Sequence, residues 1–197
     1  IYDGDDFWDG LKYDARYFQK ESVQKCLKFG YGTNLIATGG GKSLLQALLI
    51  ENYKRHIDKD FKCLIVVPGL SLVDQLCNDF EEYGVTFSFS PWTGEKELQD
   101  TKVVICNSES LLAKYKENPW IFDVDIFIQD ECHKINKDSN ISSIVSKIKT
   151  TRKFGFTGSL SEKLIDQWKT IGTFGPVIYE KKSKELREEG YLSNLRV

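Results

Sequence analysis

One run of seven residues, Ala37-Thr38-Gly39-Gly40-Gly41-Lys42-Ser43, restricts the fold of this chain more than any other. Three consecutive glycines sit inside a helix or strand only at a high entropic cost, so they must form a turn. The β-prone run Asn34-Leu35-Ile36-Ala37 precedes that turn. An apolar helical segment follows it, from Lys42 to about His56, with Leu45, Leu48 and Leu49 on one face. Strand, glycine turn and helix therefore succeed one another. Without Cβ atoms in the way, the backbone N–H groups of such a turn can close on an anion, and the helix adds its positive dipole end. Thr38, Gly39, Gly40 and Gly41 thus form a candidate cradle for nucleotide phosphates. Lys42 would place a point charge on the β- and γ-phosphates, and the Ser43 hydroxyl would be a Mg2+ ligand.

A second segment, Asp130-Glu131-Cys132-His133, stands about ninety residues further on, at the end of the apolar run Asp125-Ile126-Phe127-Ile128. Asp130 would hold the same Mg2+, through water, because that ion dehydrates reluctantly. Glu131 would orient or deprotonate an attacking water. At average residue usage a Gly-Lys-Ser/Thr triplet arises by chance in roughly one chain in ten of this size. The four-residue acidic string arises in on the order of one chain in several thousand. The strict phosphate-loop pattern is also incomplete, since Ile36 stands where its first glycine belongs. The two segments count together because both end a strand, where open α/β sheets present their ligand-binding residues.

Along the chain, strands and helices alternate. Strands are expected at Asn34–Thr38, Lys62–Pro68, Val85–Ser90, Lys102–Cys106, the run ending at Asp130, Arg152–Thr157 and Val177–Tyr179. The Lys62–Pro68 run is continuously apolar, as a strand buried on both faces should be. A helix starting at Ser71-Leu72-Val73-Asp74, a candidate capping box, carries Leu72, Leu76, Phe80 and Tyr83 at helical spacing. Gly94 lies in a polar turn, a short helix runs to about Tyr115, and another carries Ile141, Ile144, Val145 and Ile148. A last helix is expected near Ser161–Lys169. This βαβα series predicts a doubly wound, mainly parallel sheet with helices on both faces. Trp92, Trp120 and Trp168 are expected to pack in the core or at its edges rather than to stack on bases.

Composition sets limits. The 197 residues are 41% hydrophobic and 28% charged, the proportions of an ordinary globular domain with room for a real core. No apolar stretch is long enough for a membrane span, and the acidic start Ile1-Tyr2-Asp3-Gly4-Asp5-Asp6 is unlike a signal peptide. Five cysteines, odd in number and without a CxxC, read as thiols in a reducing compartment rather than as disulfides or zinc ligands. Two histidines are too few for a metal site, and His56 is expected at a helix-end surface. A net charge of −2 leaves nucleic-acid binding to local features. Lys147, Lys149, Arg152 and Lys153 are one candidate cationic strip, against the plainer reading of a solvated helix end.

Thr-Gly-x-Gly-Lys-Ser followed by a DExH box resembles the superfamily 2 helicases and translocases. Arg16-Tyr17-Phe18-Gln19 resembles their adenine-reading Q motif, which would give Arg16 and Gln19 roles in nucleotide binding. Val67 to Gln75 resembles motif Ia, with Gly69 where threonine is usual, and Val103 to Leu112 resembles motif Ib, with Asn107 replacing its threonine. Phe154-Gly155-Phe156-Thr157-Gly158-Ser159 resembles motif III. The similarity runs from about Tyr13 through most of the chain, and it looks closest to the XPB-like branch and its phage recombination helicases.

The resemblance implies an α/β, RecA-like P-loop NTPase lobe using ATP and Mg2+. His133, Thr157, Gly158 and Ser159 would couple the nucleotide site to nucleic acid. Pro68, Gly69, Leu70, Gly94, Asn107 and Ser108 would meet the nucleic-acid backbone, DNA or RNA, mostly through small neutral donors. Residues 1–12 are expected to be an extension or remnant of a preceding region, 13–182 the lobe, and 183–197 a helix and hinge toward a second RecA-like lobe. With no methionine at all, Ile1 is not expected to be the natural start. The chain is expected to be monomeric and cytoplasmic, in a bacterium or a phage-infected cell. Three readings follow: a branched-DNA helicase or translocase motor, the motor of a restriction-type translocase, and a nucleotide- and nucleic-acid-binding module without turnover when isolated.

Overall fold

A computed structural model describes residues 6–137 and 139–193. Seven strands form one sheet: β1 (Gly32–Ile36), β2 (Cys63–Val67), β3 (Phe89–Trp92), β4 (Val103–Asn107), β5 (Ile126–Asp130), β6 (Lys153–Thr157) and β7 (Val177–Lys181). Their order is β3-β4-β2-β5-β6-β1-β7, and every adjacent pair is parallel. All C-terminal strand ends therefore lie along one edge. The connections leaving the neighbours β2 and β5 run toward opposite edges of the sheet, the kind of switch point where such sheets bind ligands, and β6 alone separates β5 from β1.

Helices cover both faces. On one, α1 (Tyr17–Phe29), α2 (Lys42–His56) and α3 (Leu70–Tyr83) close over a core containing Phe18, Leu45, Leu48, Ile65, Phe80 and Phe156. On the other, α4 (Ser108–Lys114), α5 (Ser139–Lys147) and α6 (Leu164–Phe174) cover Leu64, Val66, Phe127, Val145 and Phe174. A short α7 (Ser183–Glu188) follows β7. The central helix α2 is buried from Leu44 to Tyr53, wider than the one leucine face its sequence shows, because α1 and α3 flank it. Two of its buried polar residues, Asn52 and Glu51, are fully engaged, whereas the Gln46 Oε1 has no partner among the described residues. Asn52 binds the backbone of Trp8 and Leu48, and Glu51 takes both the N–H and the hydroxyl of Thr86.

That Glu51 contact explains one misplaced strand. Thr86 gives its N–H to a carboxylate, so pairing starts only at Phe89, and β3 lies later than the expected Val85–Ser90. As the sheet's edge strand, β3 tolerates Pro91. The capping box expected at Ser71–Asp74 does not form. Helix α3 starts at Leu70 with Gly69 as its N-cap, and Asp74 instead pairs with Lys96 at 2.8 Å. Helix α6 runs from Leu164 to Phe174, later than expected, and Trp168 on it is 70% exposed, so it does not pack as expected. Trp92 is buried, and Trp120 packs beside it. The cationic strip dissolves as well. Arg152 lies over the Tyr53 ring, Lys153 donates to the Val145 carbonyl, and Lys149 pairs with Asp123. Lys153 also opens β6, at the sheet edge opposite the glycine turn.

Phe7, Trp8 and Leu11 pack against the same core as residues further on. The remainder of the N-terminal stretch, 1–5, and residues 194–197 lie outside the described residues. All five cysteines are free and buried, and burial pushes the Cys26 thiol up to about 12, so none reads as a reactive thiolate. Among the described residues no helix is long and apolar enough to cross a membrane.

Candidate nucleotide-binding site

The glycine turn sits at the C-terminal end of β1. Gly39 and Gly41 take φ of 82° and 74°, in the left-handed region that side chains rarely enter. Close approach adds a second constraint, since a Cβ on Gly40 would lie 2.6 Å from Ile36 Cγ2 and one on Gly41 2.5 Å from Gln19 Nε2. The turn is pinned by the Gly40 N–H bond to the Ala37 carbonyl at 2.9 Å. Immediately after it, α2 starts at Lys42. A cleft of about 370 Å³ opens there, lined in part by Thr38, Lys42, Ser43, Asp130 and Glu131. The two segments singled out in the sequence thus face each other.

Within this cleft Lys42 Nζ lies 3.0 Å from Glu131 Oε1. Burial works to raise the Glu131 pKa, but the Lys42 hydrogen bond and charge, with His133 and Thr157, outweigh it and hold the carboxyl below its usual range. Glu131 is therefore a carboxylate at neutral pH. It also has φ of 46°, the one non-glycine in the left-handed region among the described residues. Such a conformation costs on the order of 1 kcal/mol or more and persists where surrounding contacts over-determine it.

Asp130, the last residue of β5, behaves oppositely. Burial pushes its carboxyl up to about 6, against the opposing charge of Lys42. Its Oδ1 is buried and has no hydrogen-bond partner among the described residues. An unmatched carboxylate oxygen in a polar cleft fits a cation ligand. Among the described residues no cluster of three or more His, Cys, Asp or Glu could hold a metal alone. A magnesium ion here would rest on Ser43 and Asp130 plus phosphate and water oxygens, the usual manner for that ion. Ser43 Oγ is meanwhile 2.8 Å from the Tyr83 hydroxyl. The sequence reading placed Tyr83 in an apolar stripe; its ring is half-buried there, while its hydroxyl reaches the site.

Thr157, the last residue of β6, joins the two halves. Its Oγ1 lies 2.6 Å from His133 Nδ1, 3.2 Å from Glu131 Oε2 and 2.8 Å from the Ser159 carbonyl. Gly158 stands against Thr38 of the turn, with its Cβ position 3.5 Å from the Thr38 hydroxyl.

Gln19 is 1% exposed, so it is no surface helix residue. Its Oε1 accepts the Arg16 N–H at 2.9 Å and its Nε2 donates to the Gly40 and Gly41 carbonyls at 3.1 and 3.2 Å. The amide thus ties the start of α1 to the glycine turn. Arg16 lies over the Tyr191 ring, 4.6 Å from its centroid.

Pro68, Gly69 and Leu70 follow β2, while Asn107 and Ser108 span the end of β4 and the start of α4. Val67 and Asn107 are register partners, so these loops adjoin on the same sheet edge as the cleft. Gly94 is exposed just beyond β3, next in line. Leu70 is 49% exposed, whereas the Asn107 side chain is 3% exposed with its Oδ1 unpartnered, turned inward rather than displayed.

Known proteins resemble this chain in sequence and in fold. The profile of the family described as "Type III restriction enzyme, res subunit" matches residues 12–162. The ATP-dependent DNA helicase UvsW of Enterobacteria phage T4 is 28% identical over 193 residues, covering 93% of this chain but 37% of that protein. The ATP-dependent DNA helicase Hel308 of Caldivirga maquilingensis is 33% identical over 142 residues, 66% of this chain and 18% of its own length. The chain thus spans little more than a third of the T4 relative. In three dimensions, the crystal structure of T4 UvsW superposes with a TM-score of 0.72 at 29% identity, over 88% of this chain and 62% of that one. The helicase domain of Pyrococcus furiosus Hef gives 0.75 at 20% identity, over 92% and 41%, a likeness of fold.

Proposed function

Because the chain belongs to the family of the type III restriction enzyme res subunit, matched over residues 12–162, we propose that it is the ATP-binding motor lobe of a DNA helicase or translocase. The observation that carries this reading is Lys42 and Glu131 meeting at 3.0 Å between the glycine turn and the end of β5. There the turn and the start of α2 bind the triphosphate through backbone N–H groups, and Lys42 moves from Glu131 to the phosphates. Once Lys42 leaves, the main influence lowering the Glu131 pKa weakens, so the carboxylate becomes a better proton acceptor as the substrate arrives. Glu131 takes the proton of the attacking water, and Thr157 and His133 hold that carboxylate in place. Ser43 and Asp130 would hold a magnesium ion, which when bound supplies charge neutralisation on the phosphates.

The loops at Pro68–Leu70, Gly94 and Ser108 provide a backbone-binding edge, mostly neutral. DNA is the polymer favoured, since UvsW and Hel308 are both named DNA helicases. A second lobe following 183–197 would complete the motor, with a monomer acting in the cytoplasm. A restriction-type translocase is the second reading, favoured by the family description itself.

Lys42→Ala tests the assignment. Calorimetric titration of the folded variant should show ATP affinity reduced tenfold or more; unchanged affinity would remove the phosphate role.

A further inference from the structure

The segment that leaves α7 folds back onto the nucleotide site. Helix α7 ends in a Schellman arrangement: Gly190 has φ of 77°, its N–H binds the Arg187 carbonyl at 3.0 Å, and the Tyr191 N–H binds the Leu186 carbonyl at 2.8 Å. That geometry fixes where Tyr191 and Leu192 go. Leu192 reaches the glycine turn, where a Cβ on Gly39 would lie 2.4 Å from Leu192 Cδ2. Tyr191 lies edge-on to Phe18 at 5.7 Å and under the Arg16 guanidinium at 4.6 Å. A cluster around the buried Lys181 anchors the segment, with its Nζ 2.6 Å from both Glu189 Oε1 and the Tyr17 hydroxyl.

Arg16 Nη1 is buried without a hydrogen-bond partner, next to that ring. A buried unpaired donor is costly, and it marks a place where an acceptor is missing. A nucleobase offers both a ring nitrogen acceptor and a flat face for an aromatic ring or guanidinium. Gln19, bonded to the Gly40 and Gly41 carbonyls, spans the short distance from this pair to the phosphate turn.

We propose that Tyr191 is a base-binding residue of the nucleotide site, forming with Arg16 the platform that receives the base. The proposal rests on the nucleotide reading above and extends it to a residue after α7, some 170 positions from the Arg16-to-Gln19 motif.

The test compares ATP with inorganic tripolyphosphate, which carries the phosphates and no base. Titrations of this chain are run on wild type, Tyr191→Ala and Tyr191→Phe, with melting temperatures as a folding control. Tyr191→Ala should weaken ATP roughly tenfold, within the range for stacking one base on an aromatic ring, and leave tripolyphosphate unchanged. Tyr191→Phe should bind ATP as wild type does. Equal loss of both ligands would mean the segment only supports the turn, and no loss of either would mean Tyr191 stands outside the site; each overturns the proposal. If Tyr191→Ala does not fold, Tyr191→Leu gives the same comparison, and undiminished ATP affinity there refutes it too. A wild-type chain that binds neither ligand would overturn the nucleotide reading itself.

Discussion

Replacing Glu131 with Gln removes one proton acceptor and one charge while keeping side-chain shape and the left-handed backbone conformation at φ 46°. The contacts around residue 131 give separate expectations for binding and turnover. In the free chain Lys42 is held by Glu131 at 3.0 Å, with side chains 14% and 24% exposed, and that pair must open before Lys42 reaches a phosphate. A partly exposed ion pair is worth about 0.5–1 kcal/mol, so losing it should tighten ATP roughly two- to fivefold. Hydrolysis should fall by about two orders of magnitude or more, close to 3 kcal/mol of barrier, as expected for loss of a general base. The binding arm is a fluorescence titration of this chain. The turnover arm is phosphate release from a protein carrying both lobes, with and without DNA. Turnover within about threefold of wild type would refute the base assignment. Weaker ATP binding with an unchanged melting temperature would refute the claim that Lys42 is withheld by Glu131.

Gly155→Ala should lower the melting temperature by roughly 3–10 °C, because its Cβ would stand 2.8 Å from Cys132 Sγ and 3.0 Å from Phe174 Cγ. Adding Cys132→Ala should recover part of that loss, and no recovery would show that the strain lies elsewhere. The raised Asp130 pKa means that its ionisation opposes folding, a penalty absent below the ordinary value of 3.8 and complete above about 6. Asp130→Asn should therefore stabilise the chain in chelator at pH 8, by up to about 3 kcal/mol, and the gain should fade between pH 6 and 4; a gain independent of pH would refute this. Thr157→Ala with Ser159→Ala, in a two-lobe protein, should preserve ATPase better than unwinding, and equal loss of both would remove the coupling role.

Much of the fold was legible because parallel strands buried on both faces leave a strong apolar signal. Lys62–Pro68 was read from that signal, and β2 occupies Cys63–Val67 with every residue buried. Failures occurred where a long-range contact overrode local pattern. Glu51 takes the Thr86 N–H and delays β3, and no window around Val85 contains that carboxylate. Gly69 caps α3 by backbone geometry alone, so the serine and aspartate that mimic a capping box are spectators. Helix α1 carries no capping signal in its sequence for a related reason. It has no side-chain hydrogen bond at its N-cap, and the Gln19 carboxamide that serves the Arg16 N–H is also occupied by the glycine turn.

The site divides along the same line. That Lys42, Asp130 and Glu131 share one cleft was legible because a glycine turn and an acidic strand end both close strands of one parallel sheet. The contacts of Tyr83 with Ser43 and of Tyr191 with Arg16 were not, since each comes from a distant element and each tyrosine looks locally like packing. How the known residues divide one proton was equally hidden. Thr157 Oγ1 has a single hydrogen, yet two acceptors compete for it, the Ser159 carbonyl at 2.8 Å and Glu131 Oε2 at 3.2 Å. Neither of those oxygens can donate, so His133 Nδ1 at 2.6 Å donates to Thr157 when it carries hydrogen, beside the longer bond from the Ser159 N–H at 3.4 Å. In that state Thr157 has two discrete settings, one toward the carboxylate and one toward the Ser159 backbone. Moving Lys42 onto a phosphate makes the Glu131 carboxylate the hungrier acceptor and favours the first setting. On the proposed reading the Ser159 carbonyl would then lose its partner, so a change in phosphate occupancy would reach the 157–159 segment through one hydroxyl.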